Sequence, residues 1–138
     1  MQRTLYAPAL LLLLACGCGD GRPTRAPVAG QVLIDGQPVP FGMVKFVQPE
    51  TRAASGRLDS EGRFTLSCFE KNDGAIPGVH KVSITATEGI NERTTRWHAP
   101  KKYANENTSG IEITIDGATD DLVIDLTWDG KGPFIEKQ

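Results

Sequence analysis

The residues able to do chemistry in this chain are few and scattered, and their spacing argues against a catalytic centre. His80 and His98 are the only histidines, on separate segments, with no paired cysteines and no close carboxylate cluster, which falls short of the ligand spacing of a zinc site. No serine sits in a Gly-x-Ser-x-Gly elbow, and neither histidine has an aspartate nearby in sequence to orient it, so no activated nucleophile is expected. Asp59-Ser60-Glu61-Gly62 has the spaced oxygens that begin a calcium loop. Calcium needs six to eight ligands, however, and the segment that follows, Phe64 to Cys68, alternates as a strand instead of ending in a bidentate Glu, so this stretch is read as a hairpin turn. No metal and no cofactor are expected. The best ligand-binding candidates are Arg96, Trp97, Lys101 and Tyr103, in a stretch from Gly89 to Gly110 that is read as a long loop: the two rings offer flat faces to a sugar or an apolar partner, and the basic residues would steer an anionic polysaccharide. The alternative is that Trp97 and Tyr103 only pin that stretch over an open edge of the fold.

The cysteines carry a different chemistry. Leu13-Leu14-Ala15-Cys16 closes an apolar run beginning at Leu5, with Arg3 the only charge before it. The run is shorter than the roughly 20 apolar residues needed to cross a bilayer, so it is read as an export signal over residues 1–15. Two leucines and a small alanine before Cys16 resemble the lipobox of bacterial lipoproteins, in which the thiol takes a diacylglyceryl group and becomes the mature N-terminus. Each buried methylene is worth about 0.8 kcal/mol, and two or three chains on one residue anchor durably. Cys18 is the weaker acceptor, because the residue three positions before it is Ala15. The expected location is the cell envelope, lipid-anchored and extracytoplasmic. A Cys18–Cys68 disulfide is the alternative to a buried Cys68 thiol.

Losing Arg3 leaves 14 of the 15 Lys and Arg against 17 Asp and Glu, with no long basic run, which argues against nucleic acid as a partner. Residues 16–27 are rich in Gly, Pro and Arg without apolar periodicity and are read as a lipidated, flexible linker. Residues 28–138 have the length of one small domain.

In that domain, short alternating apolar runs are separated by Gly, Pro, Asp and Asn, the pattern of an all-β fold. Seven strands are expected: Val28 to Ile34, Met43 to Gln48, Ala54 to Leu58, one with Phe64, Leu66 and Cys68 on one face, Val79 to Ala86, one carrying Ile111, Ile113 and Ile115, and one carrying Leu122, Ile124 and Leu126. Asp35-Gly36 supplies a positive-φ turn after the first. His80 falls in the inward phase of Val82 and Ile84. Two packed sheets, a seven-stranded Greek-key β-sandwich, would bury these faces.

Val28-Ala29-Gly30-Gln31-Val32, Asp35-Gly36-Gln37-Pro38-Val39, Val44-Lys45-Phe46, Asp59-Ser60-Glu61-Gly62-Arg63-Phe64 and Gly74-Ala75-Ile76-Pro77-Gly78-Val79-His80-Lys81-Val82 occur in an order that resembles the carboxypeptidase regulatory-like domain. More narrowly, they resemble the small lipoproteins with such a domain that abound in planctomycete bacteria. The resemblance implies a transthyretin-like sandwich, outside the cytoplasm, with no catalytic residues and no defined substrate. An enzyme on that fold, hydroxyisourate hydrolase, ends in Tyr-Arg-Gly-Ser, whereas this chain ends Phe134-Ile135-Glu136-Lys137-Gln138. The expected function is a non-catalytic, membrane-tethered structural or protein-interaction module, with a carbohydrate-binding module as the alternative. Its expected partners are the membrane, through the lipid, and envelope proteins or polysaccharide.

Overall fold

The computed structural model describes residues 19–138, so the expected signal peptide, Cys16 and Cys18 lie outside the described residues. The described chain is almost entirely β: β1 (Val28–Ile34), β2 (Gln37–Pro38), β3 (Met43–Val47), β4 (Ala54–Arg57), β5 (Arg63–Thr65), β6 (Gly78–Thr85), β7 (Thr87–Asn91), β8 (Thr94–Trp97), β9 (Glu112–Ile115), β10 (Thr119–Leu126) and β11 (Phe134–Lys137). A single turn of 3-10 helix, Lys101–Ala104, interrupts them.

Two sheets form the sandwich. In the first, β1 lies between β10, parallel to it, and the antiparallel β2 and β5. The second is wholly antiparallel, in the order β4-β3-β6-β9. Alternation puts Val28, Val32 and Ile34 of β1, Phe64 of β5, and Ile124 and Leu126 of β10 inward, facing Val44 and Phe46 of β3 and Val82 and Ile84 of β6. Phe46 is fully buried between the Phe64 ring at 6.3 Å and the His80 ring at 5.8 Å. Gly30 has a specific reason to be glycine: a Cβ there would stand 2.3 Å from the Leu122 carbonyl oxygen, so only a bare Cα lets β10 pack this closely. Asp35 at φ 47° and Gly36 at φ 80° make the tight turn between β1 and β2, as expected for Asp-Gly.

Each of the seven expected strands has a counterpart, but the partition between sheets differs from a simple hairpin reading. β4 and β5 flank Asp59-Ser60-Glu61-Gly62 yet belong to opposite sheets, joined only by an isolated Ser55–Ser67 bridge. The turn is closed by the Asp59 carboxylate, which accepts the N–H groups of Glu61 and Arg63 at 2.9 Å each, a turn-stabilising role.

Two expectations are corrected. The stretch from Gly89 to Gly110 is not a long loop: β7 and β8 form a hairpin, and β11 joins it to make a third small sheet in the order β11-β8-β7. These strands carry Thr, Glu, Arg and Asn and bury almost nothing completely, because the sheet projects from the sandwich instead of facing its core, so the apolar alternation that marks a strand is missing. The second correction concerns the linker, whose last part is docked. Ala26 exchanges two backbone hydrogen bonds with Ala75, at 2.8 and 3.0 Å, and is buried. Beside it the Arg25 guanidinium bonds the Asp73 carboxylate at 3.2 Å, with the Asp20 carboxylate on its other side at 3.2 Å.

Cys68 lies under this strap, buried, with its Sγ 3.6 Å from the Arg52 carbonyl oxygen. Burial pushes the thiol up, and the Asp73 carboxylate adds to this, against opposing pulls from Arg52 and Arg25. The thiolate is the reactive form. Iodoacetamide should therefore leave the Cys68 peptide unlabelled in the native protein and label it fully in urea, read by peptide mass; rapid native labelling would contradict the burial.

Candidate functional site

The third sheet and the segment after β10 together build a groove of aromatic rings and lysines. Ladder register sets Phe134 of β11 directly beside Trp97 of β8, and their rings stack with centroids 6.0 Å apart and planes 8° from parallel. Trp128, just beyond β10, meets Phe134 edge to face at 6.4 Å and 83°. The three rings thus form a corner, with one wall nearly perpendicular to the stacked pair. The groove beneath, about 430 Å³, is lined by Trp128, Phe134, Pro100, Lys101, Lys102 and Lys131, with Asp129 and Gly132 completing it.

The polar groups around these rings are interlocked. Trp97 donates its indole N–H to Glu136 Oε2 at 2.9 Å, while Lys101 Nζ donates to Glu136 Oε1 at 2.6 Å and lies over the Trp97 ring, 5.7 Å from its centroid. The hydrogen bond from Lys101, then that from Trp97, hold the Glu136 carboxyl below the ordinary carboxylate range. Lys102 Nζ bonds Asp129 Oδ2 at 3.2 Å and lies 4.9 Å from the Tyr103 ring centroid, and these contacts, led by Asp129, raise its ammonium.

Sequence reasoning singled out four residues here, and the structure divides them. Trp97 and Lys101 do come together. Tyr103 is buried at 6% exposure under the 3-10 turn, where its hydroxyl oxygen accepts the Thr127 N–H at 3.2 Å, so it offers no open face and pins the segment to the end of β10. Arg96 is displaced by alternation: next to Trp97 in β8, it faces the other side of the sheet, 3.7 Å from the Glu88 carboxylate, which also takes His98 Nε2 at 3.1 Å. Trp97 and Tyr103 therefore make no coplanar pair. Missed from the sequence were Trp128, Phe134, Lys131 and Glu136, which lie 30 or so residues further on. One signal was available: the chain has 2 tryptophans, of which Trp128 lines this groove and Trp97 stacks on its Phe134 ring.

Neither histidine is bonded to a hydroxyl or thiol. His80 is buried, with Nε2 2.7 Å from the Ile76 carbonyl oxygen, so that nitrogen carries the proton and donates. His98 is held by Glu88 and packs edgewise on Phe41 at 4.8 Å. A larger and shallower depression, about 700 Å³, lies over Ser55, Arg57, Arg63 and Thr65 where β4 and β5 part. Its lining is mainly small and charged, without paired rings, so the smaller groove has the greater capacity to orient a ligand.

No protein-family model matches the sequence, and no solved structure matches it. Transthyretin-like protein 2 of Caenorhabditis elegans is 29% identical over 102 residues, which cover 64% of this chain and 69% of that protein. That similarity, joined to two packed β-sheets, is consistent with a transthyretin-like β-sandwich domain.

Proposed function

We propose that this protein is a lipid-tethered, non-catalytic module of the cell envelope, acylated at Cys16, that presents the aromatic groove to a partner away from the membrane. The observation that carries this reading is the parallel pairing of β1 and β10. At one end of the pair the strap arrives, with Thr119 N–H bonded to the Pro27 carbonyl at 3.0 Å. At the other, the Asp35 carboxylate accepts the N–H of Trp128, the corner residue of the groove, at 3.2 Å. The eight steps of extended chain from Pro27 to Asp35 separate them by about 26 Å at ~3.3 Å per residue. The docked strap strengthens the orientation. From Cys16 to Arg22 the chain can reach at most about 20 Å, so a lipid at Cys16 would keep the strap end of the sandwich towards the bilayer and the groove outward.

Changing Cys16 to serine is expected to remove the lipid mass increment and shift the protein from the membrane to the soluble fraction. An unchanged mass and distribution would reject the tether. The interaction role is tested by pull-down of the acylated protein from envelope fractions: a stoichiometric component recovered by the native chain and lost with Phe134→Ser supports it, and recovery that ignores Phe134 counts against the groove. Polysaccharide is the second reading, favoured by the lysines that line the groove.

A further inference from the structure

We propose that the groove binds an acidic polysaccharide, with a carboxylated sugar ring lying in the corner of Trp128 and Phe134 and its carboxylate met by Lys131 and Lys102. This deepens the reading of the groove as the binding face and rests on it. The charge balance selects the sign of the ligand. The overall formal charge is -2, yet three lysines and one aspartate line this groove. Lys101 and Lys102 are held in place by Glu136 and Asp129, whereas Lys131 has no ion-pair partner among the described residues. The groove therefore has two positioned ammonium groups and one uncompensated one.

The rings select the shape. An edge-to-face pair at 83° gives a floor and a wall, each with a negative π face. The weakly positive C–H face of a pyranose ring fits such a surface, and an equatorial substituent carries its carboxylate outward to the rim. Phe134 is 38% exposed, so one ring of the corner is open to a ligand without rearrangement. An extended acidic peptide would gain the charge contacts but not the flat C–H contact. The phosphate headgroups of the protein's own membrane share the charge but, by the orientation above, lie at the opposite end of β1.

Because Trp128 lines the groove and Trp97 stacks on its Phe134 ring, intrinsic fluorescence reports it. The full acylated chain in neutral detergent is titrated with an oligogalacturonate, a neutral galactose oligomer of equal length, and poly-glutamate. A saturable change in emission is expected with oligogalacturonate, at least about tenfold tighter than with either comparison polymer, which corresponds to 1.4 kcal/mol. Lys131→Gln, an exposed substitution, should weaken it about fivefold, and Phe134→Ser should abolish it with an unaltered circular dichroism spectrum. No response to oligogalacturonate, equal affinity for the neutral oligomer or for poly-glutamate, or an indifferent Lys131→Gln would each overturn the proposal. The same titration on the Cys16→Ser chain separates the two readings, since loss of membrane association leaves the sugar response intact if only the tether fails.

Discussion

Replacing Asp73 with alanine is expected to lower the stability of the domain by on the order of 3 kcal/mol. Its Oδ1 accepts the Cys68 N–H at 2.6 Å, and its Oδ2 accepts those of Phe69 and Glu70 at 3.0 Å each and the Arg25 Nε–H at 3.2 Å. The Asp73 and Arg25 side chains are 12% and 15% exposed, so alanine leaves partly buried donors without an acceptor, and each such donor costs about 1–3 kcal/mol. The urea midpoint should fall while the slope is retained, and an unchanged midpoint would mean that water replaces the carboxylate in full. The same contacts give an acid dependence. Burial raises the carboxyl, but the N–H groups of Cys68, Glu70 and Phe69 and then Arg25 outweigh it, so the folded pKa lies below the ordinary aspartate value. A depressed carboxylate stabilises the fold above the unfolded pKa of about 3.9, and that stabilisation is lost as pH falls through the folded value. Wild type should therefore lose stability below about pH 4 more steeply than Asp73→Asn, read from urea midpoints between pH 6 and 2.5.

The second large effect is steric. Gly74 has φ 97°, in the region that favours glycine, and a Cβ added there would meet the Ala26 carbonyl oxygen at 1.8 Å and the Pro27 Cα at 2.8 Å. Nothing at that contact is a flexible side-chain end; it is the backbone of the docked strap. Gly74→Ala must either expel the strap, giving up both Ala26–Ala75 hydrogen bonds and the burial of Ala26, or distort the turn that holds Asp73. A loss of about 3 kcal/mol or more is expected, in the range where a clash at a special backbone conformation places single substitutions. Trypsin gives an independent reading, because Arg25 lies on the strap and is followed by Ala26, whereas the Arg22–Pro23 bond resists it: cleavage after Arg25 should accelerate at least tenfold under native conditions, as expected if the strap's opening free energy falls by 1.4 kcal/mol or more. Gly117→Ala is the control, with nothing within 4 Å of the added Cβ, and should leave both the midpoint and the cleavage rate close to wild type. If Gly74→Ala matched that control, the strap would not be held as described.

These two sites show where sequence reading reached its limit. Asp73-Gly74 reads locally as a turn, and it is one, but its importance comes from Arg25 and Ala26, some 48 residues earlier in the chain. Polar and glycine-rich composition in residues 16–27 resembles a free spacer because docking here uses backbone pairs and the ion pairs Arg25–Asp73 and Arg22–Glu70, neither of which leaves an apolar period. The sandwich itself was legible, since its inward faces are β-branched and aromatic residues at alternate positions: Val28, Val32 and Ile34; Val44 and Phe46; Val82 and Ile84; Ile124 and Leu126. His80 was likewise placed inward by phase alone. What alternation cannot carry is partner choice. Nothing in Val28–Ile34 announces that its long neighbour is Thr119–Leu126, in parallel, almost a hundred residues away.

The binding groove divides in the same way. The sequence by itself determined that this is an all-β chain and that aromatic and basic residues concentrate around Trp97 and Lys101, because those properties are local in composition and spacing. Only the tertiary structure decided which of them act together. It buried Tyr103 and turned Arg96 to the far side of the third sheet, because neighbours in a strand face opposite ways. It then set Phe134 and Trp128 beside Trp97, because β11 pairs with β8 and β10 ends at the same edge of the fold. A groove assembled by long-range pairing has no contiguous signature, so its chemistry was readable residue by residue and its geometry only from the folded chain.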